Sequence, residues 1–139
     1  LRLISAEWRR ESGLAVLMDK AVEQFNDTHA GLAIASLRNP GEADRVHELG
    51  GTVIWIDGDP RVRYDRIQAN AASHDRAEED NLSFEQFLEQ EAAEMQQSGD
   101  TATLDLSAVK DLADIFLLNN ADSVDEFETE ATKTLSSIL

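Results

Sequence analysis

Cysteine is missing altogether from this 139-residue chain, which removes disulfides, thiolate metal sites and cysteine nucleophiles and suits a reducing cytoplasm. Lysine is scarce too. Only three of the twelve basic residues are lysine and nine are arginine, so most positive charge sits on the planar fork that matches phosphate and carboxylate. No apolar run approaches the roughly 20 residues that a membrane-spanning helix needs, and Leu1-Arg2-Leu3-Ile4 is too short for a signal-peptide core. The three histidines, His29, His47 and His74, stand far apart in unrelated contexts, which gives no support to a zinc site or a serine triad. Positive charge as a whole is in deficit. With 28 acidic against 12 basic residues and a net charge of −16, long-range repulsion opposes binding to nucleic acid or to an anionic membrane. A salty habitat or simple solubility accounts for such acidity equally well.

What remains is enough to bury a core, and one domain is the default at this length. From Ala6 to about Thr28, Leu14, Leu17, Ala21, Val22 and Phe25 recur at helical spacing, with Gly13 a point of division. Leu32-Ala33-Ile34-Ala35-Ser36-Leu37 reads as a buried strand, bounded by Gly31 and by Asn39-Pro40. Asn39, Pro40 and Glu42 form a helix-start signature: a side-chain cap, a proline at the first position and an acid in the first turn. That helix is expected to end at Gly50-Gly51, ahead of a second strand at Thr52-Val53-Ile54-Trp55-Ile56.

Asp59-Pro60 starts a further helix running to about Ala72, and residues 73–82, of mixed charge and no apolar period, read as a surface loop. Ser83 with Gln86 predicts a capping box, and so does Ser123 with Glu126 ahead of a C-terminal helix over 124–138. A helix ending near Gly99, a short helix over 107–112 and a third strand at Ile115-Phe116-Leu117-Leu118 complete the reading. Strands alternating with helices imply right-handed crossovers and a mainly parallel sheet flanked by helices, an α/β three-layer architecture. Ligands of such sheets bind beyond the carboxyl ends of the strands, which directs attention to the loops after Leu37, Ile56 and Leu118.

Arginines crowd those loops. Arg38 follows the first predicted strand and precedes a helix start whose backbone N–H groups are anion donors, although a pairing with Glu42 beside an ordinary cap explains it as well. Arg61, Arg63 and Arg66 share a helix, with His74 and Arg76 in the following loop. Arg66 and Arg76 are candidates for stabilising a transferring phosphoryl group, whereas surface ion pairing suits Arg61 and Arg63 better. Arg9 and Arg10 could grip an acceptor's phosphate or simply line a solvated helix face with Glu7 and Glu11.

Taken in order, Leu32 to Glu42, Val53 to Asp57 with Pro60, Arg63-Tyr64-Asp65-Arg66-Ile67, Phe84 to Phe87, and Ala113-Asp114-Ile115 with Asn119 resemble the dephospho-coenzyme A kinase and nucleoside monophosphate kinase group of P-loop kinases. The resemblance runs from about Glu7 to the end. It implies an ATP- and Mg2+-dependent transfer of phosphate to a nucleotide-like acceptor. By the same resemblance, acceptor-binding helices would fall in 1–30, with Arg9, Arg10, Arg38 and Glu42 on the acceptor side. It also implies a lid over about 73–82 that bears Arg76, with Arg66 near the donor nucleotide and Asn119 near the adenine.

Two departures stand out. The place of a second arginine four residues after Arg66 holds Asn70, and no Gly-x-x-x-x-Gly-Lys-Ser/Thr loop occurs among the 139 residues. The chain opens on Leu1 rather than methionine, so the expectation is a fragment or truncated form of such a kinase, or a non-catalytic nucleotide-binding or interaction module on the same scaffold. The family's P-loop strand lies between the strands matching 32–37 and 52–57. Its absence would leave those two edges roughly 10 Å apart instead of 4.8 Å.

Overall fold

A computed structural model describes residues 2–25, 30–71, 82–95, 100, 102 and 104–136. Among them are seven helices and one two-stranded parallel sheet, a mixed helix and strand fold. The chain divides into two compact units, residues 1–53 with 91–115 and residues 54–90 with 116–139.

In the first unit α1 (Arg2–Ser12) and α2 (Val16–Val22) are separated at Gly13, whose φ of 95° lies in the left-handed region that glycine tolerates and other residues resist. α2 packs against both α1 and α3 (Pro40–Glu48), and α3 packs in turn on α6 (Leu106–Asp111). The buried apolar residues here are, apart from Met18, small: Ala6, Val16, Ala43, Val53, Ala102 and Val109. Close approach is the reason. A Cβ placed on Gly41 would lie 2.5 Å from the Leu14 Cβ, so only glycine lets the start of α3 come this near the turn before α2. Arg45 on α3 adds an ion pair to Asp19 on α2, Nε to Oδ1 at 2.8 Å, and a second to Glu48 at 2.9 Å.

The second unit holds β1 (Ile54–Asp57), α4 (Pro60–Ala71) and α7 (Val124–Leu135). It also takes in the first turns of α5 (Phe84–Met95), which continues past the boundary, and most of β2 (Ile115–Leu118). The strand register is parallel: the Ile115 N–H donates to the Val53 carbonyl at 3.2 Å and the Asn119 N–H to the Asp57 carbonyl at 2.7 Å, four residues further along both chains. Tyr64 on α4 meets Phe84 and Phe87 on α5 with ring centroids 5.4 and 5.7 Å apart, and its hydroxyl donates to the Leu82 carbonyl at 2.8 Å. Such aromatic pairs contribute about 0.5–1.5 kcal/mol each beyond their buried area.

The helix starts follow the local signals. Asn39 caps α3 as expected, and Glu42 completes a capping box there that the sequence did not announce; Ser83 and Gln86 exchange both bonds of theirs at 2.9 and 3.2 Å. At α7 only half forms. Ser123 Oγ accepts from the Glu126 N–H at 3.2 Å, but the Glu126 carboxylate takes the Asp122 N–H, one residue before the cap. The first long helix is shorter than expected, ending at Val22 before a turn.

The larger correction concerns Leu32–Leu37, which is not a strand. Its backbone has no ladder partner: among the described residues nothing hydrogen-bonds to residues 31–37, and bonding resumes at Arg38, whose carbonyl accepts from the Asp105 N–H at 2.9 Å. Ser36 adds a local bar, since its φ of 66° turns the chain out of the extended region. A run of apolar residues specifies burial on a sheet only when a neighbouring strand supplies the other half of each hydrogen bond.

Candidate functional site

In the second unit two loops leave the carboxyl ends of β1 and β2 and are tied together. Asp57 turns back on its own strand end, accepting from the Gly58 N–H at 2.8 Å and from the Trp55 indole at 3.2 Å. The Asp59 N–H donates to Asn120 Oδ1 at 2.7 Å, joining the first loop to the second. Gly58 is buried where a Cβ would stand 3.2 Å from the Asn119 carbonyl, so a side chain here would push the second loop back by a few tenths of an ångström.

α4 then sends two arginines, one helical turn apart, onto these loops. Arg63 Nε donates to the Gly58 carbonyl at 2.9 Å. Arg66 Nη1 donates to the Asn119 carbonyl at 2.9 Å and to its Oδ1 at 3.2 Å, and Nη2 to the Ala121 carbonyl at 2.6 Å. Guanidinium-to-carbonyl bonds of this kind are charge-assisted and stronger than neutral ones. With Asn119 Oδ1 facing Arg66, its Nδ2 amide makes no hydrogen bond among the described residues and is left as a donor. Arg66 likewise retains its Nε–H and one Nη2–H. The place offers donors beside a planar cation, at the end of a parallel sheet where ligands bind.

Arg61, on the same helix, pairs with Asp65 at 3.1 Å in an exposed i, i+4 contact and lies over the Tyr64 and Phe84 rings, as the ion-pair reading expects. Arg63 donates to the loop carbonyl of Gly58 and lies 5.9 Å from the Phe87 ring centroid.

The acceptor-side residues lie in the first unit, and their arrangement departs from expectation. Glu42 is buried, and its carboxylate receives four donors: Arg9 Nε at 3.2 Å and Nη2 at 2.6 Å on Oε1, and the Arg38 and Asn39 N–H groups at 2.7 and 3.3 Å on Oε2. Four donors fill a carboxylate's acceptor sites. Arg9 is equally buried, at 4% exposure. The pair therefore ties α1 to α3, with its polar groups engaged by each other and by the backbone of residues 38 and 39.

The helix start is occupied as well. The Gly41 N–H donates to Asn39 Oδ1 at 3.0 Å and the Glu42 N–H to the Asn39 carbonyl at 3.0 Å, so the N–H groups expected to receive an anion are already satisfied, with the Glu42 carboxylate in the anion's place. Asn39 is the largest fully buried side chain among the described residues. Of this cluster only the Arg38 guanidinium, half-buried, makes no hydrogen bond or ion pair among the described residues.

Arg10 is exposed and bound to Asp100, through Nε at 3.0 Å and through Nη2. That bond, and then the Ala102 N–H, hold the Asp100 carboxyl below its ordinary pKa. A contact with no forerunner in the sequence reading joins His47 Nε2 to Asp114 Oδ2 at 2.9 Å; the same oxygen accepts the Val53 N–H at 2.7 Å. The Val53 N–H first, and His47 second, lower the Asp114 pKa. The only trace of this in the sequence is position: His47 and Asp114 each stand shortly before a strand.

Arg76 and His74 lie outside the described residues, as does the lid from 73 to 81. Asn70 is on α4. Among the described residues no three His, Asp or Glu side chains gather to hold a metal. None of the described helices is long and apolar enough to cross a membrane. No protein-family model, curated protein or solved structure matches the chain.

Proposed function

We propose that the chain is part of a three-layer P-loop-type phosphotransferase, an ATP-dependent small-molecule kinase acting on a nucleotide-like acceptor, and that the loops closing β1 and β2 receive the purine end of the nucleotide. The reading is supported by one observation above the rest. Arg66 and Asn119, 53 residues apart and each singled out by the family resemblance, meet in direct hydrogen bonds at the carboxyl ends of two parallel strands.

The free Nδ2 donor of Asn119 suits a ring nitrogen, and the guanidinium plane of Arg66 suits stacking on a base. Arg38, with an unengaged guanidinium, is the remaining acceptor-side group and suits a phosphate. The phosphate-gripping loop and the magnesium site belong, in this reading, to residues other than these 139.

A second reading, a nucleotide-binding module without transfer, gains weight from Arg9 and Glu42. A buried and satisfied pair takes two groups away from acceptor binding. Calorimetric titration separates the two. Adenine nucleotide binding that Arg66→Ala weakens at least about tenfold supports both readings. Stabilisation by dephospho-coenzyme A or a nucleoside monophosphate that disappears in Arg38→Ala supports the kinase alone. Absence of any adenine nucleotide binding at millimolar ligand overturns both.

A further inference from the structure

One peptide group joins the two loops of the candidate site. The Gly58 carbonyl accepts from Arg63 Nε at 2.9 Å, and the N–H at the other end of the same peptide, that of Asp59, donates to Asn120 Oδ1 at 2.7 Å. A peptide group is planar, so whatever aims the carbonyl also aims the N–H. A carbonyl that accepts a charge-assisted bond also polarises that N–H into a stronger donor. Arg63 therefore governs a bond, Asp59 to Asn120, of which it is not a member.

An arginine side chain gives up much rotamer freedom when it is held in one place, so its surroundings must fix it. Two surfaces do so here. The Arg63 Cγ and Cδ lie 3.4 and 3.6 Å from where a Cβ on Gly58 would stand, which lays the stem along the glycine, and the guanidinium lies 5.9 Å from the Phe87 ring centroid. Phe87 is buried, at 9% exposure, and is held in its turn: its ring centroid is 5.7 Å from that of Tyr64 and 6.3 Å from that of Phe84.

We infer that Phe87, on α5, is a positioning residue of this site: through Arg63 it sets the Gly58–Asp59 peptide, and through that peptide the loop that carries Asn119 and Asn120. A change at α5 is then felt where the nucleotide binds, and binding there is felt at α5. The role in nucleotide binding rests on the purine-end reading; the hold of Phe87 on the loops stands without it.

Hydrogen exchange of the ligand-free 139-residue chain, followed by NMR in the wild type, Phe87→Leu, Arg63→Met and the double variant, tests that hold. Leucine keeps an apolar side chain at 87 without a ring face, and methionine keeps an unbranched stem at 63 without the donor. Rates are read relative to the Ile67 and Ala69 amides inside α4, so that a general loosening of the unit cancels. Each single variant is expected to speed exchange of the Asp59 amide at least about fivefold, and that of the Asn119 amide, bonded to the Asp57 carbonyl, in the same direction. The double variant is expected to exchange no faster than the faster single one, because Phe87 acts through Arg63. Adenosine binding weakens at least about threefold in both single variants. An Asp59 amide indifferent to Phe87→Leu or to Arg63→Met overturns the inference, and so do effects that multiply in the double variant, or adenosine binding that is equal in all four chains. A wild-type chain that binds no adenosine sinks the purine-end reading alone, with the exchange rates still deciding whether Phe87 sets the loops.

Discussion

Replacing Glu42 with alanine probes the best-defined interaction in the chain. The substitution leaves the Arg9 guanidinium buried without its counter-charge, and strips acceptors from the Arg38 and Asn39 N–H groups. Breaking one side of a buried ion pair costs about 3–5 kcal/mol, and an unsatisfied buried donor about 1–3 kcal/mol. These penalties overlap, because water admitted to the void serves both, so the expected loss is about 4 kcal/mol, a large share of the roughly 5–15 kcal/mol that stabilises a domain of this size.

Arg9→Met in the same background removes the stranded charge. The double variant Arg9→Met/Glu42→Ala is therefore expected to lose only about 1–3 kcal/mol, with a coupling energy of at least about 2 kcal/mol. Urea unfolding followed through Trp8 in a Trp55→Phe background reports on the unit that contains the pair. A Glu42→Ala loss below about 1 kcal/mol, or additive single and double variants, would show that the pair is hydrated and refute the reasoning.

Further outcomes follow from other contacts. Asp114 has a lowered pKa in the folded chain, so its contribution is present above the ordinary value of 3.8 and is lost as pH falls through the folded-state value. Asp114→Asn should accordingly flatten the acid limb of a stability-versus-pH curve between roughly pH 5 and pH 2. Gly41→Ala forces a contact at the Leu14 Cβ and should cost about 1–3 kcal/mol in thermal or urea unfolding. Arg66→Ala frees the loop after β2 and should cost about 1–2 kcal/mol while speeding exchange of the Asn119 amide, which bonds the Asp57 carbonyl; unchanged exchange would show that the arginine does not hold that loop.

Legibility in the sequence followed the range of the interaction. Asn39 as a cap and Ser83 with Gln86 could be read directly, because a cap and the group it bonds lie within a single helical turn. Arg9 with Glu42, Arg10 with Asp100 and His47 with Asp114 could not, since separations of 33, 90 and 67 residues leave no periodic trace. The Leu32–Leu37 run reads as a buried strand and is not one, because strand formation depends on a partner that the run itself does not encode. The arginine-rich helix and the Asn119 loop were each visible alone; the family resemblance set each beside the nucleotide, and their direct contact had no trace in their spacing.

Backbone amide NMR of the chain titrated separately with ADP, adenosine and inorganic tripolyphosphate tests the purine-end assignment most directly. The account predicts that ADP and adenosine shift the same amides, Asn119, Asn120 and Ala121, with a Kd of about 1 mM, near −4 kcal/mol, and that tripolyphosphate leaves them unmoved. Shifts produced by tripolyphosphate at these amides, or none produced by adenosine, would contradict it.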